Sequence, residues 1–312
     1  MKVLCVLGWG RSGSTLVGRI AGQMEGFFLV GELRYLWDRG LIENRLCSCG
    51  TPFRECSVWR EIVSQVLEEG DDLSATRMVE LRERGLHTRH ILLALNQERL
   101  RARITRMGKY TDALERLYRT AQDVSGSQII VDTSKFPSYG YVLQNTPGID
   151  LYVLHLVRDP RAVAYSWALR RKSKPDHGKE AGKRLMTPHS LIESALVWSE
   201  WNLCIERVWR RNPQRYMRLR YEDFVADPQS AVRNILHFLG EEEAKLPFLN
   251  KREVLLDAPH TFSGNPDRFQ SGVVEIKSDE SWRHKMGLVQ KATVTALTWP
   301  GLLRYRYPLW TA

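Results

Sequence analysis

A short stretch near the start of the chain has the residue types and spacing of an anion-binding loop. Residues 8–15 read GWGRSGST, in which the spacing G-x-x-x-x-G is followed directly by Ser14 and Thr15. Between a strand and a helix, such a loop points free backbone N–H groups at an anion, and the helix dipole adds about half a positive charge. A nucleoside-triphosphate P-loop has a lysine where Ser14 stands, whereas the cation here is Arg11, inside the loop. The stretch therefore predicts a site for one phosphate-like group, without the usual triphosphate and Mg²⁺.

Charged side chains also follow other apolar runs of the sequence. Glu32 comes after the run FFLV, Lys135 closes the segment that begins with IIVD, and Arg158 follows LYVLHLV. In open α/β sheets, ligands bind outside the carboxyl ends of the strands. We therefore expect these side chains to lie on the same edge of the sheet as the loop.

The elements that must position these residues alternate along the chain. Strands are predicted over 3–7, 27–30, 129–132, 151–157 and 216–220. One helix is predicted to have Pro160 in its first turn and to run through 162–171, and another spans 190–211. This alternation predicts an α/β fold of three layers, with a central parallel sheet covered on both faces. Residues 55–124 carry leucines among many arginines and are predicted to form a helical insertion within one domain that spans residues 1–312.

The composition excludes some classes of protein, but it does not identify the ligand. The 312 residues are 43% hydrophobic and 10% aromatic, which excludes a disordered chain, and 46 Lys and Arg against 36 Asp and Glu favour an anionic partner. No stretch approaches 18 apolar residues, so we expect no membrane span. Five cysteines are an odd number for a disulfide scaffold, and a cytoplasmic protein is the expectation.

The loop sequence RSGST, residues 11–15, resembles the first loop of the sulfotransferases that use 3′-phosphoadenosine 5′-phosphosulfate (PAPS), which reads roughly [KR]-S-G-[ST]-T. Three further matches follow in the family's order: Arg158 with Ser166 eight positions later, the triplet YED at 221–223, and GNPDRF at 264–269. The resemblance implies a P-loop-like fold and a sulfo transfer from PAPS to a hydroxyl or amine acceptor, without a metal.

The resemblance also implies roles for individual residues. The loop would bind the 5′-phosphosulfate, and Arg11 would help the bridging oxygen to leave. The expected ligands of the donor are Arg11, Ser12, Gly13, Ser14 and Thr15 for the phosphosulfate, Arg158 and Ser166 for the 3′-phosphate, Tyr221 for the adenine, and Arg268 as a second contact to the 3′-phosphate. Leu16 stands where the cytosolic branch has an aromatic residue that stacks on the adenine, so part of the adenine site must come from elsewhere.

The reacting groups are predicted beside the loop. Glu32 resembles the glutamate base of the branches that act on carbohydrates and on protein tyrosines. Lys135 stands near the place of the histidine base of the cytosolic branch and, being charged at pH 7, is predicted to stabilise negative charge on the sulfo group, with Ser134 orienting it. If Glu32 is not the base, His155 and Asp132 are the next candidates.

Two other functions stay open on the sequence. A P-loop kinase or nucleotide hydrolase would use Asp132 to hold Mg²⁺, although Ser14 in the lysine position argues against it. A nucleotide-binding or nucleic-acid-binding module without catalysis would fit the charge, but it gives Glu32 and Lys135 no role. The basic stretch 170–184 contains no aromatic residue, so nucleic acid is not expected as a partner. The acceptor could be a small molecule, a carbohydrate or a lipid.

Three cysteines gather at Cys47, Cys49 and Cys56. Zinc is not expected there, because a fourth ligand is missing and no histidine lies between residues 40 and 60. Packed thiols or a local disulfide are predicted instead.

Overall fold

The apolar run at the start of the chain forms the central strand of a parallel sheet in the computed structural model, which describes residues 1–67, 74–86, 97–168, 173–174, 184–185 and 188–310. Within this part of the chain the strands are β1 (Lys2–Leu7), β2 (Phe27–Gly31), β3 (Ile129–Lys135), β4 (Asp150–Val157), β5 (Ser173–Lys174), β6 (Arg184–Leu185), β7 (Tyr216–Arg220), β8 (Glu253–Leu256) and β9 (Gly272–Glu275). Five of them form the main sheet in the order β2-β3-β1-β4-β7, and every pair in it is parallel.

Helices connect these strands and cover the sheet. Among the described residues they are α1 (Ser14–Ala21), α2 (Ser57–Val66), α3 (Ala75–Leu86), α4 (Gln97–Thr105), α5 (Gly108–Ser125), α6 (Pro137–Gln144), α7 (Pro160–Ala168), α8 (Leu191–Trp209), α9 (Tyr221–Ala226), α10 (Pro228–Leu239), α11 (Ser281–Lys285) and α12 (Leu288–Arg304). None of these helices combines the length and the apolar character needed to cross a membrane.

Side chains of β1 alternate between two hydrophobic cores, as expected for a strand buried on both faces. Val3 and Leu7 belong to the core that contains residues of α2, α5 and α6, whereas Leu4 and Val6 belong to the core with residues of α1 and α10. All four side chains are fully buried. The three-layer α/β fold predicted from the sequence is therefore confirmed.

The predicted elements agree with the structure except at their ends. β3 continues three residues beyond Asp132 to Lys135, which places this lysine on the sheet itself. The insertion is helical where it is described, as α2 to α5. Helix α7 begins at Pro160, the residue predicted for its first turn. The end predicted at 169–171 lies outside the described residues, as does most of the basic stretch 170–184. Helix α12, which packs against α7 and α8, is not predicted by the sequence analysis, because the tail is rich in Gly and Pro.

Candidate active site

The carboxyl ends of all five strands of the main sheet open onto one cavity of about 520 Å³. Because the strands are parallel, the residues that follow them meet at one edge of the sheet. Of the residues predicted for the site, the cavity is lined by Arg11, Gly13, Ser14, Thr15, Glu32, Lys135, Arg158, Ser166, Tyr221 and Arg268. The sequence prediction of one shared edge agrees with this arrangement.

The glycine-rich loop runs from the end of β1 into the first turn of α1. Gly13 caps the helix with a positive φ of 94°, and a Cβ built there would lie 2.5 Å from the ring of Tyr221. The first turn of α1 contains no acidic residue, so its free N–H groups and positive dipole end are available to an anion. Ser12 differs from the prediction: its hydroxyl donates to the Trp9 carbonyl at 2.7 Å, and Ser12 is not among the residues that line the cavity.

Arg11 sits at the tip of this loop in a strained backbone conformation. Its φ of 71° lies in the left-handed region, which costs a non-glycine residue about 1–2 kcal/mol. Its guanidinium stacks 4.8 Å from the ring centroid of Trp167, whose indole N–H donates to the Gly10 carbonyl at 3.1 Å. Trp167 thus supports both the loop backbone and the loop cation.

Arg158 follows β4 and is held in place by the loop and by an aromatic ring. One guanidinium nitrogen donates to the Arg11 carbonyl at 3.0 Å and another to the Asp279 carbonyl at 3.1 Å, while the guanidinium lies 4.5 Å from the ring centroid of Tyr221. Arg158 is buried, and Ser166 on α7 lines the same cavity. A second cation is therefore fixed against the backbone of the loop, with a hydroxyl in the same cavity.

In the triplet 221–223, the first residue lies in the site and the other two contact neighbouring segments. Tyr221 lines the cavity. Glu222 accepts hydrogen bonds from the Asp159 N–H at 3.1 Å and from the Tyr307 hydroxyl at 2.6 Å. Asp223 lies 3.5 Å from a guanidinium nitrogen of Arg220. These contacts fix the start of α9, which carries Tyr221.

Glu32 lies at the other end of the cavity, in a cluster with two cations. It is buried, forms an ion pair and a hydrogen bond with Lys135, and lies 3.4 Å from a guanidinium nitrogen of Arg39. The Ser263 hydroxyl donates to Glu32 Oε2 at 3.1 Å and accepts from Arg39 at 2.6 Å. Burial alone would raise the pKa of Glu32, but the charges of Lys135 and Arg39 and the hydrogen bonds from Lys135 and Ser263 outweigh it and lower the pKa below its usual value. The carboxylate is therefore ionised at neutral pH.

Lys135 lies between this carboxylate and the glycine-rich loop. Its strand, β3, is placed between β2, which leads into Glu32, and β1, which leads into the loop. The Lys135 carbonyl accepts from the Gly8 N–H at 3.2 Å, and Lys135 has a left-handed φ of 71°. Ser134 does not orient the lysine side chain, because its hydroxyl accepts from the Arg34 N–H at 3.1 Å and the amine donates to the Thr133 carbonyl at 3.2 Å.

The alternative bases, Asp132 and His155, lie in the core and do not line the cavity. Asp132 accepts from the Tyr118 hydroxyl and from the Ser134 N–H, both at 2.6 Å, and burial raises its pKa to about 6. His155 hydrogen-bonds to Tyr216 and to Asn202, and burial lowers its pKa to about 4. The hydrogen bonds of both residues are therefore structural.

Arg268 lines the cavity, and its hydrogen bonds go to the loop around Cys47. Its guanidinium donates to the Leu46 carbonyl at 3.0 Å and lies 3.5 Å from the Ser48 hydroxyl. Burial lowers its pKa to about 10, against the charge of Glu32. This group is close to the carboxylate end of the cavity, so a contact to the 3′-phosphate stays a prediction.

The sequence analysis does not identify three side chains of the site. Arg39 and Ser263 hold Glu32, and Trp167 supports Arg11. Ser263 directly precedes the segment 264–269 that the sequence analysis singled out, which was the one available signal. Arg39 and Trp167 lie in segments without a recognisable motif.

Comparison with known proteins identifies the family. The family model described as "Sulfotransferase family" matches residues 4–245, which include the carboxyl ends of all five strands of the main sheet. The chain belongs to the sulfotransferase family. The sulfotransferase domain from the curacin biosynthetic pathway has the same fold, with a TM-score of 0.53 and 17% sequence identity over 98% of this chain and 99% of that one.

Two curated relatives are mouse sulfotransferases. Carbohydrate sulfotransferase 7 is 31% identical over 31% of this chain and 27% of the relative, and carbohydrate sulfotransferase 5 is 32% identical over 32% of this chain and 27% of the relative (both Mus musculus). The chain thus spans about a quarter of the length of these curated relatives. The family membership confirms the resemblance drawn from the loop and disfavours the kinase alternative.

The Gly13→Ala variant tests whether nucleotide binding requires the left-handed conformation of Gly13 in the glycine-rich loop. The left-handed strain costs about 1–2 kcal/mol and the added methyl group collides with Tyr221, so the affinity for adenosine 3′,5′-bisphosphate should fall at least about tenfold, measured by calorimetry. Gly108→Ala is the matched control, since a Cβ there meets no atom within 4 Å. Thermal unfolding checks that both variants are folded. Unchanged affinity in a folded Gly13→Ala variant would show that the nucleotide does not bind at this loop.

Proposed function

We propose that the protein is a PAPS-dependent sulfotransferase that moves a sulfo group to a hydroxyl or amine acceptor by in-line transfer. The observation that carries the proposal is the order of side chains along the sheet edge. Following β2-β3-β1-β4-β7, the strand ends carry Glu32, Lys135, the loop with Arg11, Arg158 and Tyr221. In this order we assign to them the base, the stabiliser of charge, the phosphosulfate site, the 3′-phosphate site and the adenine contact.

The donor end of the cavity is chemically suited to a nucleotide with two separate phosphates. The N-terminus of α1 and Arg11 offer donors to the 5′-phosphosulfate. Arg158 presents a rigid guanidinium, steadied by Tyr221, to the 3′-phosphate, and Ser166 adds a hydroxyl in the same cavity. The cavity also contains Leu16 and Val274, which we propose as apolar contacts for the adenine in place of the missing aromatic residue.

The transfer forms a bond between the acceptor oxygen and sulfur and breaks the bond between sulfur and the bridging oxygen of the 5′-phosphate. Glu32 accepts the proton of the acceptor hydroxyl, and adenosine 3′,5′-bisphosphate leaves. Arg11 and the N–H groups of α1 neutralise the charge that grows on the leaving phosphate. Lys135, placed between Glu32 and the loop, stabilises negative charge on the sulfo group as it moves.

The names of two relatives support a proposal for the acceptor class. Two relatives are named carbohydrate sulfotransferases, so we propose a carbohydrate or another hydroxyl-bearing small molecule or lipid as the acceptor. We propose a cytoplasmic location, since a reducing compartment keeps cysteines as thiols.

Arg158→Ala tests the 3′-phosphate site. Loss of a charge-assisted hydrogen bond costs about 1.5–3 kcal/mol, so the affinity for adenosine 3′,5′-bisphosphate should fall roughly 10- to 150-fold while that for adenosine 5′-monophosphate barely changes. Calorimetric titration with both nucleotides gives the ratio. Arg233→Ala, which removes an exposed arginine of α10, is the control and should alter neither affinity. Equal losses of affinity for the two nucleotides would show that Arg158 does not bind the 3′-phosphate.

Glu32→Gln tests the base. The side chain keeps its size but cannot take a proton, so turnover of an aliphatic alcohol acceptor should fall about 10²- to 10⁴-fold. Nucleotide affinity should stay within about twofold, because Glu32 is assigned to the acceptor. Glu25→Gln, on the exposed turn before β2, should keep full turnover. Full turnover in Glu32→Gln would place the base elsewhere.

The pH dependence of the Lys135→Ala variant tests whether Lys135 lowers the pKa of Glu32. Lys135 lowers the pKa of Glu32 while burial raises it, so removing the lysine should raise this pKa. The reaction needs the ionised carboxylate. On acidification, the variant should therefore lose activity at a higher pH than the unaltered enzyme does. Rate profiles measured from acidic to neutral pH show the shift; an acidic limb that does not move contradicts the assignment.

A further inference from the structure

Four side-chain atoms that can bind a metal lie close together, apart from the residues assigned to the reaction. One of them belongs to His260, three residues before Ser263. The four atoms belong to Cys47, Cys49, Cys56 and His260, and all lie within 4.8 Å of one another. Cys47 and Cys56 are buried, and Cys49 and His260 are half-buried. The fourth ligand that the sequence analysis missed between residues 40 and 60 therefore comes from a position 204 residues beyond Cys56.

The backbone around the cluster is ordered by its own hydrogen bonds. Cys47 and Cys49 lie in a tight turn, in which the Gly50 N–H donates to the Cys47 carbonyl at 3.0 Å and the Cys47 N–H donates to the Thr51 carbonyl at 2.8 Å. Gly50 has a φ of 95°, which suits a glycine. Cys56 caps the N-terminus of α2. Two rigid pieces of chain thus present three thiols to one point.

Two distances within the cluster are close to those of a tetrahedral site. With Zn–S bonds of about 2.3 Å and Zn–N bonds of about 2.0–2.1 Å, a tetrahedron places two sulfurs about 3.8 Å apart and a sulfur and a nitrogen about 3.6 Å apart. Cys49 Sγ lies 3.7 Å from Cys56 Sγ, and Cys56 Sγ lies 3.2 Å from His260 Nδ1. A Cys49–Cys56 disulfide would need the sulfurs to approach to about 2.05 Å and would leave Cys47 and His260 without a shared role.

We propose that Cys47, Cys49, Cys56 and His260 bind one structural Zn²⁺ ion. Three thiolates and an imidazole in tetrahedral arrangement are the ligand set that zinc prefers in closed structural sites. The four protein ligands complete the coordination, so the ion takes no part in sulfo transfer.

The ion would join two segments that build the carboxylate end of the cavity. Hydrogen bonds already link them: the Ser48 N–H donates to the Thr261 carbonyl at 2.8 Å, and the Trp59 indole N–H donates to the His260 carbonyl at 2.8 Å. Ser263, three residues after the histidine ligand, donates to Glu32, and a Cβ at Gly264 would lie 3.0 Å from Glu32 Oε1. Zinc would thereby hold the tail segment against Glu32 from outside the cavity.

The test is the metal content of the full chain, expressed with added zinc and purified without chelators under a thiol reductant. Mass spectrometry of the metal should find about one zinc per chain, as expected for one closed four-ligand site. Cys49→Ser and His260→Gln should each bind zinc at least about tenfold more weakly in competition with a chromophoric chelator. Cys204→Ser removes a thiol on α8 outside the cluster and should keep the full content.

Cobalt substitution of the unaltered protein keeps the proposal testable if the variants do not fold. Tetrahedral thiolate ligation should give intense visible d–d bands and a thiolate-to-cobalt charge-transfer band. The proposal is overturned if the reduced protein takes up neither zinc nor cobalt, or if Cys49 and Cys56 are found joined in a disulfide under the same reducing conditions. Because metal content is measured without substrate, this result is independent of the transferase assignment.

Discussion

The parallel alignment of the strands around β1 is the constraint on which the rest of the structure depends. Because every pair in the main sheet is parallel, each strand delivers the residue that follows it to the same edge, and a single cavity collects them. This geometry has a local cost, since Arg11 and Lys135 both adopt left-handed backbone conformations at the ends of β1 and β3. Backbone strain of this kind persists only where the surrounding structure fixes it, and here the ring of Trp167 and the hydrogen bond between Gly8 and Lys135 do so.

The electrostatics of the cavity favour a charged carboxylate among cations. Lys135 and Arg39 keep Glu32 ionised despite its burial, so the proposed base is unprotonated at neutral pH but is intrinsically weak. A weak base is sufficient if the acceptor hydroxyl becomes acidic as its oxygen bonds to sulfur, when the proton can be transferred late in the step. In the proposed mechanism the same lysine also stabilises the sulfo group, because it lies on the strand between the carboxylate and the glycine-rich loop.

The parts of the site that the sequence could predict are those encoded locally. Arg11 and Arg158 follow strands whose apolar runs are evident, and Tyr221 follows the strand predicted over 216–220. Lys135 was placed at the same edge even though β3 is longer than predicted. The sequence could not reveal contacts between distant segments. Ser263 reaches Glu32 across 231 residues, and His260 reaches Cys56 across 204. The hydroxyls of Ser12 and Ser134 were assigned to the site from their position in the chain, whereas each hydrogen-bonds to nearby backbone instead, to Trp9 and Arg34.

The most direct test of the central claim is a transfer assay with the unaltered chain, PAPS and a panel of hydroxylated acceptors, without added Mg²⁺. Mass spectrometry follows the acceptor and the nucleotide in the same reaction. The proposed function predicts an acceptor that gains one sulfo group while an equal amount of adenosine 3′,5′-bisphosphate appears. Consumption of ATP–Mg²⁺ by the same preparation, with PAPS neither bound nor turned over, would contradict it.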